Sequence, residues 1–236
     1  LTHEICADAA AVAARGAELI AEAIREAVAA RGRALVALSG GSTPLPMWRA
    51  LAEKQDLPWL RTHLFQVDER VAPGGDPARN WTALSETLLD RVLAAGHPMP
   101  VEAQDLFEAS VHYAATLASL AGTPPVLDLA HLGLGADGHT ASLVPGDAVL
   151  RVADRDVAVT QPYQGHRRMT LTFPMLGRAR RILFVVAGAD KQDALAKVLA
   201  GDASIPAGRV RAAAMHVVAD RAAAEKLGMA LGDPVF

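Results

Sequence analysis

Cysteine is almost absent from this chain: Cys6 is the only one in 236 residues. That excludes an internal disulfide and any cysteine-built metal site, and it suits a reducing, cytoplasmic setting. Aromatic residues are scarce at 4%, so the core has to be built from Ala, Leu and Val. Hydrophobic residues at 51% of the chain are ample for that. No stretch reaches the roughly 18 consecutive apolar residues of a membrane span. The first residues lack the basic region and apolar run of a secretion signal. Positive charge is not in excess either, since 23 Lys and Arg face 26 Asp and Glu for a formal net charge of −3. With no long basic run, nucleic-acid binding has little electrostatic support. An anionic ligand must therefore be met by a few local cations.

What is present reads as strands alternating with helices. Residues 8–31 predict a helix with Asp8 as N-cap and Ile20, Ile24 and Val28 on one stripe. Residues 1–32 offer no helix-turn-helix and are expected to form one long helix. Short apolar runs at 33–38, 63–67, 127–134, 156–160, 168–172, 182–187 and 212–218 predict strands. Helices are expected from about Ala78, over 105–121 and over 189–200, with Asp220 capping a last one. This alternation implies one α/β domain over 1–236, a doubly wound, mostly parallel sheet with helices on both faces. Ligands of such sheets bind beyond the carboxyl ends of the strands.

Three motifs follow strand ends. The first is Ser39-Gly40-Gly41-Ser42-Thr43-Pro44. Two glycines, three hydroxyls and a following helix start make a phosphate cradle, or simply a strand-to-helix turn capped by Thr43 with Pro44 at the first helical position. The second is Asp68-Glu69-Arg70. Adjacent side chains cannot all face one way, so one is expected to point at a site while another braces the loop. The alternative is a solvated charged turn. The third is the stretch Gly133–Gly146, containing Asp137 and His139. Gly133, Gly135 and Gly138 fit the dinucleotide pattern G-x-G-x-x-G. Pro145-Gly146 leaves too few residues for the long helix that pattern requires, and Asp137 would meet a pyrophosphate. His139 is better read as an acid/base group, given an ordinary pKa near 6.5. The other seven histidines are expected to have no such task. Arg167, Arg168 and Lys191 are ordinary surface cations by themselves, although Lys191 in a first helical turn opposes the helix dipole and suits a nearby anion.

Together these segments resemble the 6-phosphogluconolactonase family, through residues 39–44, 68–70 and 133–146 and, more weakly, Arg168-Met-Thr-Leu-Thr with Pro174 and Gly188-Ala-Asp-Lys191. The resemblance spans nearly the whole chain. It implies the fold shared with glucosamine-6-phosphate deaminases, no cofactor, no metal, and hydrolysis of a phosphorylated sugar lactone by a monomer or homodimer. The related deaminases carry a glutamate just before the Pro-Gly, where this chain has Val144. By that resemblance His139 is the general base and Asp137 its partner. Arg70 stabilises either the oxyanion or the phosphate. Asp68, Ser39–Thr43, Arg168 and Lys191 bind substrate. Three departures stand out: Arg79-Asn80 in place of Ser-Asn, Gln161–His166 without the family's lysine, and Met215-His216 in place of a tryptophan. The rival readings are an aminosugar-phosphate deaminase and a non-catalytic sugar-phosphate sensor, the latter needing an attached DNA-binding segment.

Overall fold

The computed structural model describes residues 1–227. In chain order the strands and helices are β1 (Thr2–Cys6), α1 (Ala9–Arg31), β2 (Ala34–Leu38), α2 (Leu45–Ala52), β3 (Thr62–Gln66) and β4 (Asp68–Arg70). Then come α3 (Asn80–Thr87), β5 (Ala95–His97), α4 (Leu106–Ala121), β6 (Leu129–Leu132), β7 (Val157–Val159) and β8 (Arg168–Leu171). The last are α5 (Phe173–Gly177), β9 (Arg181–Val186), α6 (Gln192–Leu199), α7 (Pro206–Arg209), β10 (Ala214–Asp220) and α8 (Arg221–Ala224).

Seven strands form one parallel sheet in the order β1-β10-β9-β6-β2-β3-β5. The chain winds outward from β2 in one direction and from β6 in the other, so the order reverses between these two neighbours. A crevice opens beyond their carboxyl ends, where ligands of such sheets bind. This explains why the first motif, after β2, and the third, after β6, meet in space.

Each face of the sheet has its own core. On one, α1 buries Ala13, Ala17, Ile20, Ala21 and Ile24 against Met47 and Trp48 of α2 and against the strands. Alanine permits this close approach and is the best helix former. Asp8 caps α1 by accepting from the Ala11 amide at 2.8 Å, and Gly32 ends it in the left-handed conformation. The other face is covered by α4 and α6 and by a small antiparallel sheet of order β4-β8-β7.

Several expectations need correction. Thr2–Cys6 is a strand paired to β10, not helix; its alternating burial of His3 and Ile5 is the period of a strand. Thr43 does not cap α2. Pro44 takes the N-cap position with φ −77° and ψ −11°, and the Ser42 carbonyl accepts from the Leu45 amide at 3.3 Å, so Thr43 lies inside a turn ahead of the helix. The segment 189–200 is split into a 3₁₀ turn at Ala189–Lys191 and α6. No solvated turn exists at 68–70: Asp68 and Glu69 are buried within β4.

Candidate active site

The crevice is a cavity of about 380 Å³ whose lining includes Ser39, Gly40, Gly41, Ser42 and Thr43 on one side and Gly133, Gly135 and His139 on another. Asp68, Arg70, Arg168 and Lys191 complete the charged part of its wall. All the residues singled out in the sequence for binding or chemistry are thus brought to one place, with Asp137 directly behind His139.

The stretch after β6 is a tight loop and not a helix start. Gly135 N–H donates to the His139 carbonyl at 2.8 Å, Gly138 N–H to the Gly135 carbonyl at 2.9 Å, and Thr140 Oγ1 to the Gly133 carbonyl at 2.8 Å. A side chain at Gly135 would put its Cβ 2.1 Å from His139 Nδ1, so the glycine is what lets the ring lie against the backbone. This replaces the dinucleotide explanation for that residue. Asp137 Oδ1 lies 2.6 Å from His139 Nδ1 and also accepts from the His139 amide at 3.1 Å. With Nδ1 bound to the carboxylate, Nε2 is the nitrogen left to exchange a proton with a ligand. Burial pushes the Asp137 carboxyl up, but the His139 amide and ring and the Tyr163 hydroxyl outweigh it, and its pKa lies below the ordinary value. Asp137 is therefore ionised and able to support an imidazolium.

The second motif divides its labour between faces. Glu69 is fully buried and braces the structure. It accepts from the amides of Arg70 at 2.7 Å and of Asn80 and Trp81 at 2.8 Å, the last two at the start of α3, and Arg79 Nε sits 3.1 Å away. Asp68 and Arg70 face the cavity instead. Ser142 Oγ donates to Asp68 Oδ2 at 2.5 Å, and burial raises the Asp68 carboxyl. β4 and β8 pair so that Arg70 lies directly opposite Arg168. Like charges in that position repel, so the pair is best accommodated around an anion. Arg168 is buried, its Nε has no hydrogen-bond partner, and its guanidinium stacks 5.2 Å from the Tyr163 ring centre. Burial lowers its pKa, with Arg70 adding to the same effect and Asp68 opposing it. Arg167 turns elsewhere, with Nε 3.5 Å from the Thr160 carbonyl, which decides between the two adjacent arginines.

Lys191 reaches the cavity, yet it is already paired with Asp190 at 2.8 Å. Its position at the start of α6 is thus offset locally, and the dipole does not by itself require a ligand there.

Four contributors were not identified from the sequence. Tyr163 donates to Asp137 Oδ2 at 3.1 Å and packs edge-on to His139 with centroids 5.5 Å apart. Gln164 lines the cavity from the same loop, at φ 49°. This is the segment that lacks the family's lysine. Asn80 packs on Gly40 so closely that a Cβ there would sit 2.1 Å from its amide. His131, in the central strand β6, forms part of the cavity lining. Asn80, Tyr163 and Gln164 fall in segments where the chain departs from the family pattern, but their place at the cavity follows only from tertiary proximity, as does that of His131. Among the described residues no cluster of three or more His, Cys, Asp or Glu could hold a metal ion, and no helix is long and apolar enough to cross a membrane.

Comparison with known proteins agrees with this geometry. Residues 7–219 match the family model described as glucosamine-6-phosphate isomerases/6-phosphogluconolactonase. A 6-phosphogluconolactonase from Synechocystis is 43% identical over 187 residues, which is 76% of this chain and 77% of that protein. The crystal structure of a 6-phosphogluconolactonase from Thermotoga maritima superposes with a TM-score of 0.83 at 28% identity, over 92% of this chain and 98% of that one. A monomeric glucosamine-6-phosphate deaminase has the same TM-score of 0.83, over 95% of this chain and 99% of its own, but at 19% identity it speaks for the fold alone. With the paired strands, the Asp137–His139 pair and these relatives all in agreement, the chain belongs to the glucosamine-6-phosphate isomerase/6-phosphogluconolactonase family.

Proposed function

We propose that this protein hydrolyses 6-phosphoglucono-1,5-lactone to 6-phosphogluconate, the reaction that opens a sugar lactone in the oxidative pentose phosphate pathway. The observation that carries the reading is the Asp137–His139 pair, 2.6 Å apart, at the edge of a cavity whose other walls hold two opposed arginines and a glycine-rich turn.

A lactone is a reactive ester, so a water molecule oriented and deprotonated by one base is sufficient. His139 Nε2 takes the proton as the water attacks the ring carbonyl, and Asp137 stabilises the imidazolium that results. Base assistance of this kind contributes about 10²- to 10⁴-fold in rate. The oxyanion is met by Arg70 or by loop amides near Gly133 and Gly135, in a partly desolvated site where such donors are most effective. The protonated histidine then returns its proton to the ring oxygen as the C–O bond breaks. The phosphate rests against Ser39–Thr43, with Arg168 and Lys191 supplying charge-assisted bonds. Val144 stands where deaminases of this fold carry a carboxylate, which favours lactone opening over ammonia release.

The supporting test is a lactonase assay coupled to 6-phosphogluconate dehydrogenase, with spontaneous opening subtracted. Turnover well above that background is expected, with no ammonia from glucosamine 6-phosphate; the reverse pattern would assign the deaminase activity instead. The single cysteine supports a cytoplasmic setting, and sedimentation distinguishes a monomer from a homodimer.

A further inference from the structure

His131 lies on β6, the central strand, and is 1% exposed. Its neighbours Ala130 and Leu132 point into one core, while His131 shares the opposite face with Leu129. Apolar side chains fill the equivalent inward positions of the adjoining strands, so a histidine here requires a reason. Two observations supply one. The Ser39 amide donates to His131 Nδ1 at 3.2 Å, and the ring forms part of the cavity lining. The one hydrogen bond of the ring among the described residues is at Nδ1. In a neutral imidazole one nitrogen accepts and the other carries the proton. Since Nδ1 accepts, Nε2 carries the hydrogen, and no protein acceptor among the described residues takes it up at this cavity wall.

Ser39 begins the glycine-rich turn, so the ring it anchors sits beneath that turn. We propose that His131 is a substrate-binding residue whose Nε2–H donates to a phosphate oxygen of the sugar phosphate held by the Ser39–Thr43 turn. The proposal rests on the sugar-phosphate reading above and deepens it. The Ser39 amide and the phosphate would then clamp the two ring nitrogens, so that one side chain couples the turn's position to occupancy of the phosphate site. Burial alone pushes the ring down to about 3, which keeps this donor neutral at any working pH. It therefore adds a directed hydrogen bond where Arg168 and Lys191 add charge.

Three substitutions separate the parts of this role. His131→Asn retains an acceptor for the Ser39 amide and removes the distal donor. His131→Gln restores a donor near the Nε2 position. His131→Leu removes both. For the phosphorylated lactone, His131→Asn is expected to raise KM about tenfold, the scale of a hydrogen bond to a charged group. KM for unphosphorylated glucono-1,5-lactone should not change, and His131→Gln should recover part of the loss. An equal KM rise for both lactones, or no rise, overturns the proposal. Nitrogen-15 NMR of histidine-labelled wild type gives a reading that needs no stable variant for its binding arm. Nε2 should appear protonated and Nδ1 unprotonated between about pH 5 and 8, and the Nε2 resonance should move on saturation with inorganic phosphate or 6-phosphogluconate. A protonated Nδ1, or an Nε2 that stays still while other site resonances shift, overturns it. Absence of lactone turnover in the wild type would remove the functional reading, and the phosphate titration would still decide whether His131 is a donor.

Discussion

The body of β2 and the turn beyond its carboxyl end are built on opposite terms. One face of the strand packs with α1 and α2 in a core of Ala, Val, Leu, Ile and Trp side chains. Beyond its carboxyl end, at Ser39, the same chain enters a cavity walled by buried Asp68, Arg168 and His131, with Arg168 Nε left unpartnered. Ala141, a non-glycine residue at φ 48°, also lines it. The first region is optimised for burial. The second retains desolvated charge and backbone strain, which are costs that persist when the surrounding structure holds them in place for binding or chemistry. Stability and activity should therefore respond to different substitutions, even between adjacent residues.

The largest separation is expected at His139. His139→Ala should lower kcat by about 10²- to 10⁴-fold while thermal unfolding stays close to wild type; near-normal turnover would dismiss it as the base. Next is Glu69→Ala, which removes the buried counter-charge of Arg79, leaves it only the exposed Glu102 at 3.6 Å, and should cost about 3 kcal/mol in stability, read by urea denaturation. Its neighbour Asp68 should behave differently. If Asp68→Asn destabilised as much as Glu69→Ala, the division of labour across β4 would be wrong. Ile24→Ala, in the alanine-rich face, should cost about 3 kcal/mol through the cavity it opens, with kcat unaltered. A change in kcat there would show that the two regions are coupled.

The smallest effect is a pH dependence. Burial holds His131 at about 3 in the folded protein against 6.5 for a free imidazole. Below 6.5 the unfolded chain takes a proton that the folded one refuses, so this residue's contribution is intact above pH 6.5 and declines as pH falls toward 3. At pH 5 the loss should be roughly 2 kcal/mol. It should disappear in His131→Asn when the two proteins are unfolded in parallel at pH 7 and pH 5. Parallel pH profiles would mean that the ring titrates normally.

Much of this was written locally in the chain. Helix α1 is legible from the spacing of Ile20 and Ile24 and the cap at Asp8, because amphipathic period and capping act within a few residues. The loop at Gly133–Gly146 is legible because Pro145-Gly146 forbids a long helix and because Asp137 and His139 are close in sequence. The division between Asp68 and Glu69 follows from strand alternation, but which of them faces the cavity depends on where α3 begins. Thr43 has the residue type of a cap, but one extra turn, closed by Leu45 onto Ser42, separates it from the helix. β1 was hidden because its pairing partner, β10, lies some two hundred residues away, with Thr2 opposite His216.

By itself, the sequence determined the alternating α/β pattern, the three strand-end motifs, and the candidacy of His139, Asp137 and Arg70 for acid/base and charge-stabilising roles. These are consequences of short-range sterics and of residue chemistry. Only the tertiary structure decided that Arg168 and not Arg167 faces the cavity, that the Tyr163 hydroxyl reaches Asp137, and that His131 lies under the Ser39 turn. Those facts depend on parallel pairing of β2 with β6 and antiparallel pairing of β4 with β8. Pairing between strands distant in sequence is fixed by burial of whole faces, which no local window contains.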